Sequence, residues 1–293
     1  MKMNNVFGKI AALSLIGGVM LVTSCNEEER LTVTDTQDIT EEAITDSYFQ
    51  DMDDMAGVAM NAPTDDQYSG GRSATTITIQ DQRFNCEGIV VTVTPGANST
   101  LDNPQGVLTV NFGLTGCTDL RGNIRTGKVI FTYNGRRFVP GSTVVTTVEN
   151  YTINGVKLEG TRTLTNVSGS SSEAPKFNAV LVNGKATLLA DGSFAERESN
   201  ITWSWIRAAS PADDYLLIDQ SSVASGTTRG GREYSVSLTE GLKYKRVCGI
   251  AVDGIKKYVI DGTKEITIDY GNGECDKSVV ITVNGVTRSL SVD

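Results

Sequence analysis

From Ala74 onward hydrophobic and polar residues alternate, and Asn-Gly or Asp-Gly pairs interrupt the alternation at 134–135, 154–155, 183–184, 191–192, 253–254, 261–262 and 284–285. Period two marks a half-buried strand, and these dipeptides accept the positive φ values that two-residue hairpin turns require. Strands joined by tight hairpins are neighbours in one sheet. The pattern predicts a mostly β domain over 74–293, an antiparallel meander built as a curved sheet or as a two-sheet sandwich. Thr75–Ile79 opens the series. Strands are expected at Ile89–Thr94, Gly106–Phe112, Lys128–Tyr133, Thr143–Ile153, Val156–Thr165, Phe177–Val182, Lys185–Leu189 and Ser193–Ile206. The C-terminal set is Tyr215–Ile218, Glu233–Leu238, Tyr244–Val252, Ile255–Ile260, Glu265–Tyr270, Ser278–Val283 and Val286–Val292. An outer-membrane barrel would need aromatic girdles at both interfaces. Aromatic residues make up only 6% of this chain, and 30 glycines with 6 prolines suit a turn-rich β domain.

Before Ala74 the period changes. Ile44, Tyr48, Met52, Met55 and Ala59 follow at helical spacing and form one apolar stripe. Thr40-Glu41-Glu42-Ala43 offers a hydroxyl cap and acids in the first turn. One N-terminal amphipathic helix is expected over about 40–60. Its stripe would pack on the β domain, or, on the sharper reading, on a partner. Its acidic face, Asp51-Met52-Asp53-Asp54 included, would be solvated. Residues 26–39 read as a flexible acidic tether and 61–73 as a linker, so 25–73 form one tether-and-helix region.

The first 24 residues read as a signal peptide. Lys2 and Lys9 precede an apolar run, Ile10 to Val22, too short to span a bilayer. Val22-Thr23-Ser24-Cys25 resembles the bacterial lipobox, which implies acylation of Cys25 and a mature chain that begins there. Asn26-Glu27-Glu28-Glu29 resembles the acidic export signal of surface lipoproteins in Bacteroidota. The implied location is the outer membrane, lipid-anchored, at the cell surface or alternatively on the periplasmic face.

Composition excludes several function classes. The chain carries 26 Lys and Arg against 35 Asp and Glu, and without Lys2 and Lys9 the mature net charge falls from -9 to -11. Nucleic acid is not an expected partner, because phosphate binding needs clustered basic residues. There is no histidine, which removes Ser-His-Asp and Cys-His nucleophile systems and the common zinc sites. No nucleotide-binding loop or EF-hand is present, and no cofactor or metal is expected.

Two segments repeat. Leu108-Thr109-Val110-Asn111-Phe112-Gly113 leads to Cys117, and Ile266-Thr267-Ile268-Asp269-Tyr270-Gly271 leads to Cys275. Each is followed by a strand and Asn-Gly, and each is preceded by a cysteine, Cys86 or Cys248. Two related β units are therefore expected, each with its own cross-link. An exported chain meets an oxidising compartment, where an even cysteine set forms disulfides. Of the three pairings open to four cysteines, the repeat selects Cys86–Cys117 and Cys248–Cys275. These segments, the acidic helix and Val156-Lys157-Leu158-Glu159-Gly160-Thr161-Arg162-Thr163-Leu164-Thr165-Asn166 resemble uncharacterised Bacteroidota surface lipoproteins. The resemblance implies a lipid-anchored envelope protein and brings no catalytic residues.

Trp203 and Trp205 are the only tryptophans and alternate on one strand face. Exposed, they make a candidate platform for sugar rings, with Glu196, Arg197 and Glu198 as polar partners; buried, they are core. Glu196 and Glu198 share a strand face, as a glycosidase pair would, and as solvated strand acids commonly do. Arg229-Gly230-Gly231-Arg232 reads as a mobile basic turn. The expected function is a non-catalytic envelope lipoprotein that binds or supports an extracellular glycan, matrix or envelope-protein partner. The alternative is a secreted carboxylate-dependent hydrolase such as a glycosidase.

Overall fold

The structure is a computed structural model, and it describes residues 30–59, 73–172, 174–210, 213–245, 248 and 250–291. The signal segment, Cys25 and most of the 61–73 linker lie outside the described residues.

One helix, α1, runs from Val33 to Ala59, so it starts seven residues earlier than the stripe predicts. The reason is a capping box. Thr32 Oγ1 accepts the Asp35 N–H at 3.1 Å, and Asp35 Oδ2 accepts the Thr32 N–H at 2.8 Å. The reciprocal bonds satisfy two amide donors that a helix start leaves orphaned. The segment read as tether is therefore helical from Val33, and Asp35 and Asp38 are buried.

The strands are β1 (Thr75–Ile77), β2 (Val90–Pro95), β3 (Gln105–Asn111), β4 (Cys117–Thr118), β5 (Ile124–Asn134), β6 (Thr143–Ile153), β7 (Val156–Asn166) and β8 (Lys176–Leu188). They continue as β9 (Phe194–Ile206), β10 (Tyr215–Ile218), β11 (Val223–Thr227), β12 (Glu233–Lys245), β13 (Ala251–Ile260), β14 (Lys264–Asn272), β15 (Ser278–Val283) and β16 (Val286–Ser291). All sixteen belong to one antiparallel sheet, paired almost entirely in chain order. The meander is thus a single sheet rather than a two-sheet sandwich. Short β4 pairs only with β5, and β10 and β11 both pair with β9 and β12, so they act as two pieces of one interrupted strand. Neither β4 nor β11 is visible as an alternating run.

Asn154-Gly155, Asp261-Gly262 and Asn284-Gly285 make tight hairpins, each with positive φ at both residues. Two other pairs do not turn the chain. Asn183-Gly184 lies inside β8, which continues through it as one strand. Asn183 bulges opposite Gly160, where the register with β7 shifts. Gly160 has φ +121°, and a Cβ there would lie 2.8 Å from the Asn183 carbonyl oxygen. Asp253-Gly254 likewise sits within β13, at a register shift against β14. In both places the positive φ that reads as a turn serves a bulge instead.

The described residues cluster into two compact units, one within 45–200 and the other made of 30–44 with those of 201–291. In the first, apolar side chains alternate inward: Leu108 and Val110 of β3, Val129, Phe131 and Tyr133 of β5, Leu158 and Leu164 of β7, Phe177 and Leu181 of β8. In the second, Tyr234 and Val236, Tyr258 and Ile260, Ile266 and Ile268, and Val279, Ile281 and Val283 form one cluster, with Leu31 and Ile39 packed against it. The sequence repeat has a structural counterpart. Gly113 N–H donates to Asn111 Oδ1 at 3.0 Å, and Gly271 N–H donates to Asp269 Oδ1 at 2.9 Å. Cys86 and Cys117 pair within one unit, and Cys248 and Cys275 within the other, with Cα atoms 5.7 and 5.3 Å apart.

Candidate functional site

The face that α1 turns to the sheet is acidic. Its buried positions include Asp35, Asp38, Glu42, Thr45, Phe49, Met52 and Asp53, a stripe at helical spacing. Of the expected apolar stripe, Met52 and Met55 are buried, whereas Ile44 and Tyr48 are only half-buried. Most of the acids read as solvated thus face inward, where Asp35, Asp38, Glu42, Asp46, Asp51 and Asp53 each meet a cation from a strand or a turn of the β domain.

In the 45–200 unit, Asp46 Oδ1 accepts from Arg197 Nη2 at 2.7 Å, and Asp53 Oδ2 accepts from Arg162 Nε at 2.7 Å. Asp51 accepts from Arg125 Nη1 at 2.6 Å. Arg125 is 0% exposed and also donates to Asp119 at 3.1 Å and to the Tyr151 hydroxyl at 2.5 Å. Arg83 is held by Asp81 and lies 3.6 Å from Asp51 and 3.7 Å from Asp54. Burial alone would lower the Arg125 guanidinium, but Tyr151 and Asp51 outweigh it and hold it above its ordinary value. Asp54 retains a side-chain exposure of 31% at its rim. The loss of water around the rest of its carboxyl nevertheless pushes it up to about 6, against the pull of Arg83.

In the other unit, Arg232 donates to both Asp35 (2.9 Å) and Asp38, and Lys264 Nζ lies 2.5 Å from Asp35. The Arg229–Arg232 turn is therefore an ordered connection between β11 and β12, fixed by two ion pairs. Glu42 accepts from Lys256 at 3.2 Å and from the Tyr258 hydroxyl at 2.8 Å. Burial pushes Asp35 up, but the hydrogen bonds from Lys264, Thr32 and Arg232 prevail and hold it below the usual carboxylate range.

Sequence reasoning missed this seam, although it left a signal. Arg125 alternates in phase with Val129 and Phe131, and Arg197 with Ala195 and Ser199. An arginine in the inward phase of a strand calls for a buried acid. The acids stand three and four apart at 35, 38, 42 and 46. The seam's groups pair with one another, although Asp53 Oδ1, Arg125 Nη2 and Arg162 Nη1 are left without a hydrogen-bond partner among the described residues, and the pairs lock the helix in one register. Buried pairs of this kind roughly break even in energy, and their specificity is their contribution.

The predicted platform residues fall elsewhere, in the 201–293 unit. Trp203 and Trp205 are both half-buried, neither core nor fully exposed. Trp205 stands directly opposite Leu216 of β10, which stands opposite Tyr244 of β12. Trp203 stands opposite Ile218, and Ile218 opposite buried Leu242. Directly opposed residues share a face, so Trp205, Leu216 and Tyr244 form one apolar and aromatic row, and Trp203, Ile218 and buried Leu242 form the row beside it on the same face. Tyr244 is 37% exposed. Trp205 Nε1 donates to Asp214 Oδ2 at 3.1 Å, and the Arg207 guanidinium sits 4.8 Å from its ring. Strands lie about 4.8 Å apart, so Trp205 and Tyr244 are separated by roughly 9–10 Å, a span close to two pyranose rings in an extended oligosaccharide. The Arg207 guanidinium lies over one face of the Trp205 ring, and Asp214 accepts from both Trp205 Nε1 and the Ala208 N–H, so the row pairs aromatic surface with a carboxylate and a guanidinium held in place beside it.

The polar partners expected for these tryptophans do not accompany them. Arg197 is buried and committed to Asp46. Glu196 and Glu198 are exposed, with Glu198 accepting the Asn183 N–H at 2.6 Å. Among the described residues, no group of three or more Cys, Asp and Glu side chains is placed to hold a metal ion, and no helix is long and apolar enough to cross a membrane. No family model matches the chain, and neither a curated protein nor a solved structure matches it.

Proposed function

We propose that this chain is a cell-envelope lipoprotein, anchored through Cys25 to the outer membrane and exposed at the cell surface, that binds an extracellular glycan without turning it over. The observation that carries the reading is the half-exposed row of Trp205, Leu216 and Tyr244 across three hydrogen-bonded strands, with half-buried Trp203 beside it on the same face. Flat aromatic faces bury the apolar faces of sugar rings, and the marginal Asp214 and Arg207 suit hydroxyl groups. The lipobox-like end of the signal segment and the two disulfides support an extracytoplasmic location. The rigid sheet under the row keeps it preorganised, which lowers the entropic cost of binding.

An oligosaccharide array probed with the mature chain tests the reading. Binding to at least one oligosaccharide class is expected, with Trp205→Ala and Tyr244→Ala each weakening it roughly tenfold or more at an unchanged fold. Silence across the array, or cleavage of the bound sugar, would overturn it.

A further inference from the structure

We infer that the start of α1 and the β15–β16 hairpin form a membrane-seating surface, whose occupant is the phospholipid head-group layer that carries the anchor; the inference rests on the anchoring at Cys25 proposed above. Arg30, Leu31, Ile281, Val283, Val286 and Arg288 line a shallow, open, largely apolar depression in one of the two units. Val33, in the first turn of α1, is 82% exposed, and Val286 is 48% exposed. Arg30 and Arg288 are both exposed at the margins of the depression. An exposed valine beside two arginines stands out on a chain of net charge -9.

Chain length says what covers this surface. The Lys264 ammonium donates to the Arg30 carbonyl at 2.8 Å, so the fold grips the chain from Arg30 onward. Only Asn26 to Glu29 then separate Arg30 from Cys25. Five Cα steps reach at most roughly 18 Å. An anchor in the bilayer therefore holds Arg30 close to the head groups, where lipid phosphates match the two guanidinium groups. Glu27, Glu28 and Glu29 lie within the leash and oppose approach to anionic lipid. The seat thus combines Arg30 and Arg288 with the shallow burial of Val33 and Val286. A flexible tether running to residue 39 would have left the domain free to tumble; the early start of α1 removes that freedom.

The test couples the mature chain, through the Cys25 thiol, to vesicles of phosphatidylethanolamine and phosphatidylglycerol doped with a maleimide lipid. Amide hydrogen exchange is then compared with that of the untethered chain. Exchange over Val286–Ser291 is expected to slow several-fold on the vesicles and to stay unchanged over Tyr215–Ile218, which pairs with the far end of β12 in the same unit. The Arg30→Glu/Arg288→Glu double variant should lose the slowing while tethered equally well. Equal exchange in tethered and free wild type, or slowing that survives the double reversal, would overturn the seat. Acyl mass on the N-terminal peptide from cells tests the anchor separately: its absence beside a positive vesicle result would sink the anchoring and leave the seat standing.

Discussion

Arg162 of β7 and Asp53 of α1, 109 residues apart in the chain, meet with Nε and Nη2 both 2.7 Å from one carboxylate oxygen, Oδ2. Both side chains are buried, and Asp53 Oδ1 and Arg162 Nη1 have no hydrogen-bond partner among the described residues. An incompletely satisfied buried pair is costly to break and cheap to replace as a whole. Arg162→Leu or Asp53→Leu alone should cost about 3–5 kcal/mol, and the double variant less than either. Urea denaturation of the four proteins decides it, and additive losses would show that the two residues are not coupled.

The capping box makes residues 30–39 part of the fold. Thr32→Ala should lower stability by about 1 kcal/mol. Deleting residues 30–39 should cost far more, because it strips Asp35 and Asp38 from Arg232 and Lys264. The melting temperature reads both changes. An unchanged melting temperature on deletion would restore the segment to the status of an inert tether.

Two carboxyls give opposite pH dependences. Asp35 is held below its ordinary value of 3.8, so its stabilisation is present above that value and is lost as pH falls through the lower folded value. Asp54 is raised to about 6, so folding takes up a proton there, and its charge costs stability as pH rises from about 4 to 6 and beyond. A shift of that size is worth at most about 3 kcal/mol, and with the side chain 31% exposed solvent screening reduces this to about 1 kcal/mol. Asp54→Asn should therefore be the more stable protein at pH 7.5 and lose that advantage by pH 4. Denaturation midpoints at the two pH values check the sign.

The disulfides close separations of 31 and 27 residues. Replacing either pair by serine should cost roughly 3–4 kcal/mol in the chain-entropy model. Cys117 stands opposite Arg125 on the neighbouring strand, so loss of Cys86–Cys117 should also loosen Asp119 and its arginine. Exchange of the Arg125 amide, compared between wild type and the double serine variant, reports that second effect.

Half-burial of the tryptophans predicts emission between the extremes of core and solvent and partial quenching by acrylamide. Trp205→Ala should cost less than the roughly 3–5 kcal/mol of a fully buried aromatic. A blue emission insensitive to quencher would place both rings in the core and remove the basis of the binding row.

Local patterns carried much of the fold. Thr143–Ile153, Tyr215–Ile218 and Ser278–Val283 coincide with β6, β10 and β15, because alternation and turn chemistry are properties of neighbouring residues. The cysteine pairing was legible for a related reason: the two copies of the Cys-strand-aromatic-Gly-Cys order constrain each other. Trp203 and Trp205 were marked as candidates, but how deeply they are buried depends on Ile218 and Leu216 of β10, which stand directly opposite them.

What the amino-acid order alone determined was the antiparallel meander, the presence of one helix before it, and the two cysteine pairs. Only the tertiary structure decided where that helix begins, which of its faces is buried, and which Asn-Gly and Asp-Gly pairs turn the chain. An acid on a helix reads as solvated unless its cation is known, and the cations for Asp35, Glu42 and Asp53 lie between 109 and 229 residues away. Positive φ at Asn183 serves a bulge rather than a hairpin because Gly160 on β7 leaves room for it. Both outcomes depend on long-range partners, and no local period encodes them.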